Sequence, residues 1–222
     1  MFGILSVNDR FLHRSFAMQD TKERILQTAL TLFARDGYEA VSVSAIADVL
    51  GITKGALYRH YENKRAIFDA IVARMEAEDA QRATEYHVPD GTISEMEQAY
   101  RDSATESLLA FSHAQFIYWT EDPFASSFRK MLTLEQYRDP EMRRLYEGYL
   151  VSGPVGYVTD LLESWQIPDS ASLALSLYAP MFFLYAAYDA APQDNKTRIH
   201  TMLDSCLTEI GRRVAVERKK RR

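Results

Sequence analysis

Residues 42–61 read SVSAIADVLGITKGALYRHY, and this stretch decides the fold. Two short helical runs meet at a single glycine. Ser42 is placed to cap the first run, and Ala45, Ile46 and Val49 are expected to face inward, with Leu50 at its end. Gly51 suits a tight corner that needs a left-handed backbone, where a Cβ would cost energy. Ile52 then plugs the angle, Thr53 caps the second run, and Ala56 and Leu57 hold it to the body. That leaves Thr53, Lys54, Gly55, Tyr58, Arg59, His60 and Tyr61 for the outer face. These types suit a duplex: a lysine neutralises phosphate, hydroxyls donate to phosphate or base edges, and a glycine lets the helix approach closely. From Gly51 to Arg65 there are Lys54, Arg59, His60, Lys64 and Arg65 against one acid, Glu62. Lys64, at the start of the next helix, adds charge to a positive dipole end and reads as a phosphate clamp.

Working outward, TKERILQTALTLFARD predicts a helix opening at Asp20, which with Glu23 has capping-box spacing, and Gly37 supplies its stop. Asn63 is expected to cap a longer helix beginning KRAIFDAIVARMEAEDA. Residues 1–17 lack the basic start and apolar run of a secretory signal and read as a disordered extension, with Met18 an alternative start. Beyond a loop at 87–92, helical periods predict helices at about 93–117, 124–136, 140–165, 170–189 and 195–216. Pro154 and Pro180 should kink theirs. No segment alternates like a strand. The expectation is an all-α chain. An extension (1–17) precedes a three-helix helix–turn–helix head (18–80), a larger helical domain (81–217) and a frayed basic tail (218–222).

Composition narrows the function. The 222 residues are 47% hydrophobic and 26% charged, which excludes wholesale disorder. One cysteine, Cys206, allows neither an intrachain disulfide nor a cysteine zinc cluster. Net charge is −5, yet residues 83–211 carry 8 Lys/Arg against 19 Asp/Glu, so a locally basic face can still meet phosphate. The run from Ser170 to Tyr188 has 19 residues without a charge, borderline for a membrane span. Its serines, Pro180 and acidic flanks point instead to a buried helix. Ser127 to Lys130 has Ser-x-x-Lys spacing but no companion motif, and the five histidines show no metal-ligand spacing. Neither a catalytic constellation nor a metal or cofactor site is read from the chain. A helical enzyme is the distant alternative.

ILQTALTLFARDGYEAVSVSAIADVLGITKGALYRHYENKRAIFDAI, positions 25–71, resembles the TetR/AcrR family of bacterial transcriptional regulators. FRKMLTLEQYRDPEM, at 128–142, resembles a stretch in some AcrR-like members. The resemblance implies a cytoplasmic, dimeric repressor on a palindromic double-stranded operator, released when the C-terminal domain binds a small effector. A regulator without an effector is the alternative. By residue, it implies Thr53, Lys54, Gly55, Tyr58, His60 and Tyr61 at or near DNA, Lys64 on a phosphate, and Ser42 and Ser44 near the backbone.

The rest of the chain is rich in aromatics. Tyr100, Phe111, Trp119, Phe128, Tyr137, Tyr178 and Phe182 are candidates for a ligand pocket among the helices. The last two helices are expected to self-associate, the alternative being that both simply finish the monomer core. One is apolar nearly all round, and the other carries a long stripe. Leu177, Leu184, Ile199, Leu203, Leu207 and Ile210 are the candidates for that interface.

Overall fold

A computed structural model describes residues 7–86 and 105–220, with the backbone alone for 7–19. Every regular element among the described residues is helical. The chain divides into two compact units after Met75, against the expected boundary at 80.

In the first unit, α1 spans Val7–Asp36. It begins well before Asp20, so residues 7–17 are helical where an extension was expected. No glycine or proline interrupts the run, and adding residues to an existing helix needs no new nucleus. Asp20 therefore lies inside the helix rather than at its cap. The helix stops at Gly37, whose φ of 89° is left-handed and whose N–H donates to the Phe33 carbonyl at 3.0 Å. Then come α2 (Val43–Leu50), α3 (Lys54–Tyr58) and α4 (Lys64–Glu85). Ile25, Leu30 and Phe33 of α1, Ile46 of α2, Leu57 of α3 and Ile67 of α4 form a dry core. Val49 was expected inside but is 64% exposed, and Ala47 is buried instead. The inward set on α2 is Val43, Ile46 and Ala47, which are i, i+3 and i+4.

The second unit holds the C-terminal half of α4 and α5 (Thr105–Glu121), α6 (Pro123–Glu135), α7 (Pro140–Leu150), α8 (Ser152–Ser164), α9 (Ser170–Ala190) and α10 (Lys196–Lys220). The predicted loop at 87–92, the start of the helix predicted at 93 and Tyr100 lie outside the described residues. The helix expected over 140–165 is two helices, broken at Val151 (φ −133°, ψ −91°). Pro154 explains the place of the break. Its ring would clash with the carbonyl four residues back, so it sits in the first turn of α8, where its missing N–H costs nothing. Pro180, by contrast, lies inside an unbroken α9. The basic tail is helical through Lys220 rather than frayed. Arg218 stacks over the Trp165 ring at 4.1 Å and donates to Thr105 Oγ1 at 3.4 Å.

Helix α9 packs against α5, α8 and α10. By length and composition it could cross a membrane, but Leu173, Leu177, Leu184 and Tyr188 bury into its own unit. Leu177, Leu184, Ile199, Leu203, Leu207 and Ile210 are all buried here, which corrects their assignment to an interface between copies. A 3.6-residue stripe shows that a helix face is covered; neighbours within the chain cover this one. Apolar surface on these two helices remains exposed elsewhere, at Leu175, Phe182, Phe183, Met202 and Val216.

Candidate nucleic-acid interface and ligand cavity

The head is shaped by its caps. Ser42 Oγ accepts from the Ala45 N–H at 3.1 Å and starts α2. Gly51 adopts φ 66°, ψ 29°, and its N–H and that of Ile52 return to the Ala47 and Asp48 carbonyls, closing α2. Two residues later Thr53 Oγ1 accepts from the Ala56 N–H at 3.1 Å and starts α3. The short connection between these caps pins α3 at a fixed angle on the core through Leu57.

Thr53, Lys54, Gly55, Tyr58 and Arg59 are exposed together. The Lys54 ammonium lies 5.7 Å from the Tyr58 ring centroid, and open space faces Gly55. His60 and Tyr61 are half-buried at the end of α3, and burial pushes the Tyr61 phenol up from its ordinary pKa. The His60 Nδ1 is buried without a hydrogen-bond partner. Ser44 is half-buried on α2.

Lys64, expected on a phosphate, makes contacts within the head. Its ammonium donates to the Tyr38 carbonyl at 2.8 Å and to the Glu39 carbonyl at 3.4 Å, and lies 4.2 Å from the centre of the Tyr38 ring. Asn63 caps α4 from the preceding position, with Oδ1 accepting from the Ala66 N–H at 2.8 Å. So Lys64 ties the start of α4 to the turn after α1. Its charge is already shared with backbone oxygens.

In the second unit a cavity of about 380 Å³ opens among α4, α5, α7, α8 and α9. That volume lies within the usual range for a small-molecule site. Phe111, Trp119 and Tyr178, expected as lining, do line it. Phe128 does not; it is buried behind Trp119, stacked at 6.5 Å. Tyr137 is 80% exposed and Phe182 points partly to solvent, so neither belongs to the cavity. Both are correct aromatics on the wrong side of their elements, a distinction that aromatic content alone does not carry.

The lining missed by sequence reasoning is informative. Tyr149 and Tyr157 flank the α7–α8 break, with Gly153 and Pro154 between them and Gly148 just before Tyr149. A Cβ on Gly153 would run into the Gly148 carbonyl, so the glycine permits this close approach. The Gly-x4-Gly-Pro spacing was the available signal. From α4 comes Asp79, and from α9 Met181 and Tyr185. Burial raises the Tyr149 phenol above its ordinary pKa, and the Glu76 and Asp79 carboxylates raise it further. Tyr178 donates to the Leu150 carbonyl at 2.9 Å, bracing α9 against the break. Buried Arg129 braces two walls. It donates to the Trp119 carbonyl at 3.0 Å and to Asp189 at 2.9 Å, and lies 5.2 Å from the centre of the Tyr185 ring. Among the described residues no cluster of three His, Cys, Asp or Glu is arranged to hold a metal.

Comparison with known proteins covers both units. A family model for bacterial regulatory proteins of the tetR family matches residues 25–71. The HTH-type transcriptional regulator AcrR of Shigella flexneri is 25% identical over 171 residues, 66% of this chain and 79% of the relative. The probable acrEF/envCD operon repressor of Escherichia coli K12 is 37% identical over 51 residues, 23% of each chain. Among solved structures, a putative transcriptional regulator from Saccharomonospora viridis in complex with choline covers 84% of this chain and 95% of its own, with TM-score 0.59 and 18% identity. A SmeT–triclosan complex covers 86% and 91%, with TM-score 0.57 and 21% identity. At these identities the structures establish a shared all-helical fold.

Proposed function

We propose that the chain, whose residues 25–71 match the tetR-family model, is a non-enzymatic DNA-binding regulator of TetR/AcrR type: a cytoplasmic dimeric repressor released from a palindromic operator by a small ligand. The observation that carries this reading is the pairing of a capped helix–turn–helix with a second unit built around a cavity. Thr53, Lys54, Gly55 and Tyr58 present the polar, basic face that would enter the major groove, with Ser42, Ser44, His60 and Tyr61 at its margin. Lys64 would act by holding the head in shape.

Ligand-bound relatives support an effector: one structural neighbour was solved with choline and another with triclosan. Self-association is supported by a stripe on α9. Leu175, Ala179, Phe182, Phe183 and Ala186 are exposed at i, i+4, i+7, i+8 and i+11, and Met202 is exposed on α10. To read a palindromic operator, the two copies must hold their α3 helices about one duplex turn, roughly 34–36 Å, apart. A ligand then acts only by binding the released conformation more tightly, with a coupling of roughly 1–3 kcal/mol.

The test selects duplexes from a random pool with the purified chain. Palindromic sites with half-sites spaced by a whole number of turns are expected, and the combined loss of Lys54 and Tyr58 to Ala should abolish enrichment. Recovery of only non-palindromic or single-stranded sequences refutes the dimeric-operator reading.

A further inference from the structure

We propose that Arg59 reads a guanine in each operator half-site, reaching the base over the gap that Gly55 leaves on the outer face of α3. The assignment rests on the operator-binding reading above and adds the base that the head selects. The other basic side chains between Gly51 and Arg65 are engaged within the head or half-buried. Lys64 is held by the Tyr38 and Glu39 carbonyls, Arg65 donates to Asp69 at 2.6 Å, and Lys54 lies against the Tyr58 ring. His60 is half-buried. Among the described residues, no hydrogen bond, ion pair or ring contact holds the exposed Arg59 side chain.

A turn of about 100° per residue sorts the outer face of α3 into two columns. Lys54 and Tyr58 stand at i and i+4 in one, and Gly55 and Arg59 in the other. Arg59 closes α3 with a right-handed helical backbone (φ −71°, ψ −19°), its N–H donating to the Ala56 carbonyl at 3.3 Å. A long side chain on such a backbone leans toward the N-terminus over the preceding turn, and at this column that turn carries Gly55. Gly55 has no positive φ, and beyond its own helix no atom lies within 4 Å of an added Cβ. The fold therefore does not require this glycine, although glycine weakens a helix relative to alanine. Its use lies outside the chain: a bare strip lets the duplex come close, with the Arg59 guanidinium beside the base edges. Two parallel N–H donors match the O6 and N7 acceptors of guanine, whereas adenine presents a donor at one of those positions. Lys54, a point charge drawn onto a ring, suits a phosphate instead.

Operator selected by the full chain is compared with duplexes carrying 7-deazaguanine, which lacks the N7 acceptor, at one symmetric pair of positions at a time. One pair is expected to cost the parent chain about tenfold or more in affinity, and to cost Arg59→Ala nothing further. Arg59→Lys should keep its affinity for random DNA yet accept all four base pairs at that position about equally. Gly55→Ala should melt no lower than the parent but bind the operator about tenfold more weakly, the loss of one base contact. An equal loss of affinity by Arg59→Ala on operator and on random DNA puts the guanidinium on a phosphate and overturns the assignment. So does a selected half-site without guanine, a 7-deazaguanine effect that is absent from the parent or survives in Arg59→Ala, or a Gly55→Ala protein that binds operator like the parent. A palindrome selected alongside any of those results leaves the dimeric-operator reading standing, whereas no enrichment of duplex DNA refutes both.

Discussion

Exchanging Phe183 for Asp should dissociate the chain into folded monomers, whereas exchanging Leu203 for Glu should unfold it. The two residues lie on the last two helices and look equivalent in sequence. Phe183 is 68% exposed, and Leu203 is 0% exposed. A phenylalanine offers roughly 200 Å², so Phe183 leaves about 130 Å² for a second copy to cover. At about 25 cal/mol per Å², that burial is worth about 3 kcal/mol per subunit and about 6 kcal/mol per symmetric dimer, as an upper limit. Losing even half of the dimer value raises the dissociation constant on the order of 100-fold. Folding should lose little, because the side chain touches mostly solvent in the monomer. Leu203→Glu instead removes a fully buried leucine and strands a carboxylate in the core, a loss of about 4 kcal/mol or more. Against a typical total of about 5–15 kcal/mol, that is disabling. Sedimentation velocity across a concentration series, paired with thermal melts by circular dichroism, reads both effects. A Phe183→Asp protein with an unchanged dimer constant would refute the proposed face. A Leu203→Glu protein that melts like the parent and sediments as a monomer would refute the core assignment.

Gly51→Ala should destabilise the head by about 1–2 kcal/mol through backbone strain alone, since φ is +66° and no atom lies near the added Cβ. Gly51→Asn should cost less, and denaturant midpoints with unchanged slopes would show it. Lys64→Met keeps the stem but loses the hydrogen bond to the Tyr38 carbonyl, so it should cost about 1–3 kcal/mol of stability. It should leave the salt dependence of operator binding unchanged, whereas Lys54→Met should lower that slope by about one unit per subunit. A lowered slope in Lys64→Met would instead place Lys64 on a phosphate. Burial raises the phenol pKa of Tyr118, Tyr149, Tyr178 and Tyr185. The unfolded chain loses these protons near pH 10 while the folded chain keeps them. Their contribution to stability is therefore whole below about pH 10 and falls as pH rises above it. Unfolding at high pH should coincide with a late tyrosinate absorbance step, after the exposed phenols such as that of Tyr137 have ionised. Complete tyrosine ionisation before the loss of helix would contradict the burial.

Local chemistry determined the head. Cap, corner and cap at Ser42, Gly51 and Thr53 lie within twelve residues, and each acts on a backbone group two to four positions away. Interactions of such short range are written in the order of the residues. The identity of the exposed basic face followed, because α3 is too short to offer more than one buried side, and Leu57 occupies it. The helical class of the second unit followed in the same way, from apolar periods and proline boundaries. What the order of residues left open was which neighbour covers each face. Leu203 and Phe183 are both apolar on apolar helices, and only packing against α5, α8 and one another made the first core and the second surface. Tyr137 and Tyr149 are both tyrosines near helix ends, and only the break at Val151 turned Tyr149 into the cavity. Lys64 reads as a free cation until Tyr38, 26 positions earlier, folds back onto it. Periodicity specifies that a face must be buried, while the partner that buries it is set by contacts between residues far apart in the chain.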